Sequence, residues 1–231
     1  MQKQGFEARL GGYGKQWRIP LKAAAVRAGL GDYGKNTLLY AKEFGSWVSL
    51  IGVLTNAKLE LAEARANDIC GKCNACLEAC PTGAIYEPYK LDILKCTTYL
   101  NHDRMQDVGE IPDSLKEKMG NWLCCCDICQ DVCPRNSKVK PRELSTSFNV
   151  TWHGVPIPDK ARLPLSELLQ FLEGEVNPYF QRYAAICIGN LEEADSALPV
   201  LTRMLNSEDK LVAKYAAWAI DRIKRRQPQI D

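Results

Sequence analysis

The hydrophobic pattern divides the chain into three stretches. Lys22-Ala23-Ala24-Ala25-Val26-Arg27-Ala28 is alanine-rich, has good helix propensity, and is stopped by Gly29. Trp47-Val48-Ser49-Leu50-Ile51-Gly52-Val53-Leu54-Thr55 is aromatic and β-branched, the pattern of a buried strand. One helix and one or two strands do not close an α/β domain. Residues 1–65 are therefore expected to be the second half of a domain whose first half is missing or belongs to another chain. Residues 66–140 hold short helices and turns. Residues 141–163 read as a linker, punctuated by Pro141, Pro156 and Pro158 and ended by Pro164, with no apolar period running through them.

From 164 onward the pattern is helical and repeats itself. Tyr183-Ala184-Ala185-Ile186-Cys187-Ile188 recurs as Tyr215-Ala216-Ala217-Trp218-Ala219-Ile220, with an amphipathic helix predicted over Ala194 to Leu205 between the copies and Pro199 near its first turn. Small residues on one face allow close helix packing, and a helix-pair period of this size resembles a short HEAT-type α-solenoid. Cys187 falls on the apolar face and is expected in the core.

Composition narrows the class. The 231 residues are 46% hydrophobic and 25% charged, with 30 basic against 28 acidic side chains and a net charge of +2. That balance excludes an acidic tail, a polycation and a disordered chain. No apolar run approaches the roughly 18 residues of a membrane helix, and the first residues have no signal-peptide stretch, so a cytoplasmic protein is expected.

Cysteine changes the picture. There are eleven, and all but Cys187 lie between Cys70 and Cys133. Without a secretory signal, clustered cysteines point to metal rather than to disulfides. The first run, Cys70-x2-Cys73-x2-Cys76-x3-Cys80-Pro81, has the bacterial ferredoxin spacing, in which the fourth cysteine serves the other of two 4Fe–4S clusters. The second run, Cys126-x2-Cys129-x3-Cys133-Pro134, is the back half of the same motif, with Leu123 where its first cysteine would stand. The swap assigns Cys70, Cys73, Cys76 and Cys133 to cluster 1 and Cys80, Cys126 and Cys129 to cluster 2. The missing eighth ligand is Cys96, Cys124 or Cys125; Cys96, lying between the runs and free to fold back, is favoured. A zinc ribbon needs neither the third cysteine at the same step nor the Cys-Pro ending.

The loop Gly29-Leu30-Gly31-Asp32-Tyr33-Gly34-Lys35-Asn36-Thr37 approximates two nucleotide motifs and satisfies neither. As a dinucleotide fingerprint it follows a helix rather than a strand, and as a P-loop it has Asn36 where Ser or Thr should hold magnesium. Its glycines equally suit close passage beside a flat ligand. Tyr33, Tyr40 and Trp47 could stack on such a ligand, although burial in a strand–helix core is the plainer reading. His102 and His153 have no partners at metal or triad spacing. Lys214, Arg222, Lys224, Arg225 and Arg226 give the last helix a basic face that suits phosphates, or simply complements the helix dipole.

Pro20-Leu21, the stretch from Ala25 to Leu39, Phe44-Gly45-Ser46-Trp47, Leu54-Thr55, both cysteine runs, Leu91-Asp92-x3-Cys96-x2-Tyr99 and the closing helices together resemble the epoxyqueuosine reductase family, over about residues 20–225. That family is related to the reductive dehalogenases and reduces the epoxide of epoxyqueuosine at the tRNA wobble position to queuosine, using cobalamin and two 4Fe–4S clusters. The resemblance supports Cys96 as the eighth ligand. It implies that Gly29, Gly31, Gly34, Lys35, Asn36 and Thr37 neighbour the corrin, that the basic residues of the last helix face tRNA, and that a ferredoxin- or flavodoxin-like protein donates electrons. The chain departs from the family in carrying only the last part of the cobalamin domain. It also has no acid in Gln16-Trp17-Arg18-Ile19-Pro20-Leu21, where the family has its proton-donating aspartate; the nearest upstream is Glu7.

The expected fold is α+β. Residues 1–65 form a remnant of a cobalamin-type α/β domain, 66–140 a ferredoxin-like double-cluster domain, 141–163 a linker, and 164–231 HEAT-like helices. The expected function is that of an iron–sulfur oxidoreductase, a truncated or divergent member of the family. The alternative is a stand-alone two-cluster electron-transfer protein without its own active site.

Overall fold

The alanine-rich stretch folds as α1 (Leu21–Arg27), and Gly29 turns the chain out of it with a left-handed φ of 70°. A computed structural model gives the fold for residues 5–11, 19–60, 66–101, 109–139, 151–152, 155–156, 162–173 and 177–226. His102, His153 and residues 16–18 lie outside the described residues, as does most of the predicted linker. Around α1 lie β1 (Ala8–Gly11), β2 (Gly31–Tyr33), β3 (Leu39–Ala41) and β4 (Gly52–Thr55). The cysteine-rich region adds α2 (Ala75–Glu78), β5 (Ile85–Glu87), β6 (Lys90–Leu91), α3 (Thr97–Leu100), α4 (Asp113–Lys118) and α5 (Ile128–Asp131). After β7 (Thr151–Trp152) and β8 (Val155–Pro156) come α6 (Leu165–Glu173), α7 (Pro178–Asn190), α8 (Leu198–Met204) and α9 (Lys210–Arg226).

The described strands pair as antiparallel ribbons, β1 with β4, β2 with β3, β5 with β6 and β7 with β8. The architecture is thus mixed α and β. The strand expected over Trp47 to Thr55 forms only at Gly52–Thr55, where Leu54 faces Arg9 and Val53 faces Leu10. Val53 and Leu54 are exposed rather than buried, because among the described residues no second layer covers this ribbon.

The chain forms two compact units. The first comprises Met1–Cys80, Ile85–Leu91 and Asp127–Glu143; the second comprises Pro81–Ala84, Asp92–Cys126 and Leu144–Asp231. The sequence repeat appears in the second unit as α7 and α9. Tyr183 and Tyr215 are both buried, as are the alanines beside them at 184, 185, 216 and 219. The two helices approach so closely that a Cβ on Gly189 would lie 2.6 Å from Trp218 Cζ3 and 3.1 Å from Ala219 Cα. Tyr215 Oη accepts the Ile111 N–H at 2.8 Å, and the buried Lys116 reaches Asp113 Oδ1 at 2.7 Å while its ammonium sits 4.7 Å above the Tyr215 ring. Cys187 is fully buried, as its place on the apolar face predicts, and burial pushes its thiol well above the ordinary range. No described helix is long and apolar enough to cross a membrane.

Candidate metal centre

No disulfide joins any of the eleven cysteines, all of which are described. Three of the thiols act on a fourth. Burial raises the Cys76 thiol, and the thiols of Cys70, Cys133 and Cys73 raise it further. Cys133 comes from the far end of the second run, so the first unit gathers three sulfurs of one run and one of the other. This is the set that the ferredoxin spacing assigns to cluster 1.

Local hydrogen bonds shape both runs. Asp68 Oδ1 accepts the N–H groups of Cys70 and Gly71, each at 3.0 Å, and the Cys73 N–H returns to the Cys70 carbonyl at 3.0 Å. The Gly71 and Cys70 amides, aided by the Tyr89 hydroxyl and the Lys35 charge, hold the Asp68 carboxyl below the usual carboxylate range against the effect of desolvation. In the second run the Asn136 N–H bonds to the Cys133 carbonyl at 2.9 Å, and Arg135 Nε ties this end of the chain to the Ile69 carbonyl at 2.9 Å.

The glycine-rich loop serves these runs directly. Lys35 N–H points at Cys70 Sγ, 3.4 Å away, and its ammonium donates to the carbonyls of Gly71 and Cys73 at 2.7 and 2.8 Å. Asn36 Nδ2 donates to the Cys129 carbonyl at 3.2 Å and to Tyr40 Oη at 2.9 Å. Thr37 closes the turn at φ 65°, with its N–H on the Gly34 carbonyl. Gly34 lies under Tyr40, where a Cβ would come within 2.4 Å of ring atom Cε2. Burial and the bonded Cys133 thiol push the Tyr40 hydroxyl up, against smaller opposing contributions from Asn36 and Ser46. Tyr40 is buried, Tyr33 half-buried and Trp47 exposed.

Among the described residues no three His, Cys, Asp or Glu side chains converge on a point that would hold a single metal ion. A zinc ion draws its sulfurs to about 2.3 Å, whereas an iron–sulfur core separates its thiolates at the corners of a larger body. An all-thiol donor set drawn from two runs, with an amide directed at one sulfur, has the ligand chemistry that an iron–sulfur cluster takes. Of the remaining cysteines, Cys80 and Cys129 lie in the first unit. Cys96 and Cys126 lie in the second, where Cys96 precedes α3 and the Cys126 carbonyl accepts Thr98 Oγ1 at 3.4 Å. Cys124 is buried, and Cys125 takes a left-handed φ of 55° while its carbonyl accepts Asn101 Nδ2.

The fit to cobalamin is poorer. Gly29 and Gly31 border a cavity of about 400 Å³ together with Asp32, Tyr40, Lys42 and Arg135. Small-molecule pockets span roughly 300–1,000 Å³, and a corrinoid with its nucleotide tail is too large for this one. Gly34, Lys35 and Asn36 are occupied with Tyr40 and the cysteine runs. The described residues do not by themselves build a corrinoid site. The basic residues of α9 are likewise engaged within their own unit: Lys214 with Glu110, Arg222 with Glu117 at 3.1 Å, Arg225 with Asp221 at 2.8 Å, and Arg226 with the Gly189 carbonyl. Lys224 lies exposed in the last turn.

Sequence inspection missed the supports of the second run. Ser46, Gln130 and Asn136 interlock, and Gly45 is the only residue type that admits Asn136 beside it. A polar residue two places after Cys-Pro and a glycine–serine pair far upstream are informative only once their contact is known.

Two stretches of the chain match known families. Residues 69–136 match the family described as a 4Fe-4S double cluster binding domain, and residues 165–229 match HEAT repeats. Epoxyqueuosine reductase from Bacillus subtilis is 34% identical over 216 residues, which cover 87% of this chain and 53% of that protein. The enzyme of the same description from Prochlorococcus marinus is 45% identical over 120 residues, 52% of this chain and 38% of that one. The structure of the Bacillus subtilis epoxyqueuosine reductase with its catalytic loop swung out superposes with a TM-score of 0.74 at 31% identity, covering 94% of this chain and 57% of that chain. A crystal structure of epoxyqueuosine reductase with an epoxyqueuosine-modified tRNA-Tyr stem loop superposes at 0.75 and 30% identity, covering 96% and 59%. The chain thus spans about half the length of the first of these relatives.

Proposed function

We propose, since the chain belongs to the epoxyqueuosine reductase family, that it carries the electron-supply part of an epoxyqueuosine reduction on tRNA, through two 4Fe–4S clusters. When bound, such clusters supply electrons singly at potentials set by net charge, hydrogen bonds to sulfur and solvent exposure. Cys70, Cys73, Cys76 and Cys133 hold the first. Cys80, Cys96, Cys126 and Cys129 hold the second, an assignment that rests on spacing and on the family resemblance. In this reading residues 1–65 are a remnant of a corrinoid-type domain, 66–140 carry the clusters, 141–163 link, and 164–231 form the helical repeat. A ferredoxin- or flavodoxin-like protein supplies electrons, and tRNA is the substrate.

The observation that carries the proposal is that Cys133, from the second run, acts on the Cys76 thiol together with Cys70 and Cys73 of the first. Ser46 and Asn136 hold the backbone that follows Cys133, and the Tyr40 hydroxyl is hydrogen-bonded to the Cys133 thiol. The small cavity beside Gly29 favours one alternative, a two-cluster electron-transfer protein serving a partner that holds the reaction site.

Anaerobic reconstitution with iron and sulfide tests the first claim: about eight irons per chain are expected from two cubanes. Stoichiometric zinc with iron near zero overturns it. Incubation of the loaded chain with a reductant and epoxyqueuosine-containing tRNA, with and without cobalamin, separates the two readings. A shifted corrin spectrum together with loss of the epoxide supports the reductase. Reduced clusters without either support the electron carrier.

A further inference from the structure

Lys35 is only 8% exposed, and its surroundings are made by the first cysteine run. A buried lysine ordinarily requires a charged partner. Here the ammonium donates its three hydrogens to neutral oxygens: Gly71 O at 2.7 Å, Cys73 O at 2.8 Å and Asn74 Oδ1 at 3.0 Å. Its own backbone N–H meets Cys70 Sγ at 3.4 Å, and its carbonyl accepts the Tyr89 N–H at 3.0 Å. One residue thus brings a positive charge into the loop that carries Cys70 and Cys73 and a hydrogen bond to one of its sulfurs. Asp68, the nearby carboxylate, spends Oδ1 on the amides of Cys70 and Gly71.

A cubane ligated by four thiolates is an anion, and taking one electron from a single-electron donor adds one more negative charge to it. A buried cation beside it stabilises the reduced form more than the oxidised one, as does a hydrogen bond to a ligating sulfur. Resting on the two-cluster reading above, we propose that Lys35 is the residue that sets the reduction potential of cluster 1, holding it above the value that its thiolates alone would give. Lys35 touches ligands and loop rather than any substrate, so it is a positioning and tuning residue. The inference also accounts for a P-loop-like lysine in a loop that lacks the rest of that motif.

The test is a redox titration of the anaerobically loaded full chain followed by EPR, comparing the parent with Lys35→Met, Lys35→Gln and Lys35→Arg. Met keeps the length without charge, Gln keeps hydrogen-bond donors without charge, and Arg keeps the charge. With iron content unchanged, one of the two reduction steps in the uncharged variants is expected to move to more negative potential. The equilibrium should change at least tenfold, which is about 59 mV for one electron. The other step stays in place, and Lys35→Arg remains near the parent. Fully loaded uncharged variants with both steps unmoved overturn the inference. So does loss of one centre's iron from Met and Gln while Arg retains it, since the charge would then serve assembly rather than potential. A parent chain that binds zinc in place of iron overturns the two-cluster reading itself, and is distinguished from these results by metal analysis alone.

Discussion

Asn136 and Ser46 hold each other twice: Asn136 Oδ1 accepts the Ser46 N–H at 3.0 Å, and Asn136 Nδ2 donates to Ser46 Oγ at 2.8 Å. Asn136 Nδ2 also reaches the Gln130 carbonyl at 2.8 Å, while Ser46 Oγ donates to Gln130 Oε1 at 2.8 Å. The residues that follow Cys133 are thereby fastened to a segment that precedes the first cysteine run. Asn136→Ala removes three hydrogen bonds, two of them buried and one half-buried, and should cost about 2–3 kcal/mol at roughly 1 kcal/mol each. The expected outcome is a lower midpoint in urea unfolding, with iron lost first from the centre that Cys133 serves.

Gly45 tests the same contact from the other side. Its φ is 56°, and a Cβ there would lie 2.1 Å from Asn136 Oδ1. Gly45→Ala therefore adds left-handed strain of about 1–3 kcal/mol to a backbone that cannot relax without losing Asn136. Thermal unfolding should show a larger loss than Gly71→Ala, where φ is also positive but nothing lies within 4 Å.

The interleaving of the two runs makes a sharper prediction. Cys133→Ser and Cys70→Ser should remove the same EPR signal, leaving about four irons per chain, whereas Cys80→Ser should remove the other. Were Cys133→Ser to damage the centre lost in Cys80→Ser, the ligand assignment would be wrong.

The cysteine spacing and the helical repeat were legible because both are local: a ligand loop needs fixed steps, and a solenoid repeats its own apolar face. Lys35 was not legible in the same way. A lysine in a glycine-rich loop looks like a phosphate ligand, and only the fold turns its ammonium towards Gly71 and Cys73. The strand at Gly52–Thr55 shows the converse limit. Its side chains have the composition of buried positions, but burial depends on what packs against the ribbon, and Val53 lies 55% exposed. The basic residues of α9 read from sequence either as a phosphate-binding face or as a complement to the helix dipole, and their pairing in the fold, Lys214 and Arg222 with acids on or beside α4, joins residues far apart in sequence.

The helical repeat can be probed without touching the cysteines. Tyr215→Phe leaves the Ile111 N–H buried without the hydroxyl that accepts it at 2.8 Å. An unsatisfied buried amide costs about 1–3 kcal/mol. Denaturant unfolding should show that loss, while the reduction potentials stay unchanged.

Stability of the second unit in acid should depend on Asp209. This residue precedes α9, where its Oδ1 accepts the N–H groups of Leu211 and Val212 at 2.9 and 3.0 Å, and its carboxylate pairs with Arg182. Desolvation would raise its pKa, but the Arg182 hydrogen bond and charge, with the two amides, outweigh it and hold the carboxyl below the ordinary aspartate value. A carboxyl whose folded pKa is depressed contributes stability that is fully present above the unfolded pKa, about 3.9, and is lost as pH falls through the folded value. Asp209→Asn keeps a capping oxygen but forfeits the charge. It should therefore be less stable than the parent at pH 7, with the difference shrinking below about pH 4 as the parent's carboxyl protonates. Urea unfolding of both proteins from pH 7 down to 3 checks this, and a gap that stays constant across that range would show that the Arg182 pair contributes nothing to folding.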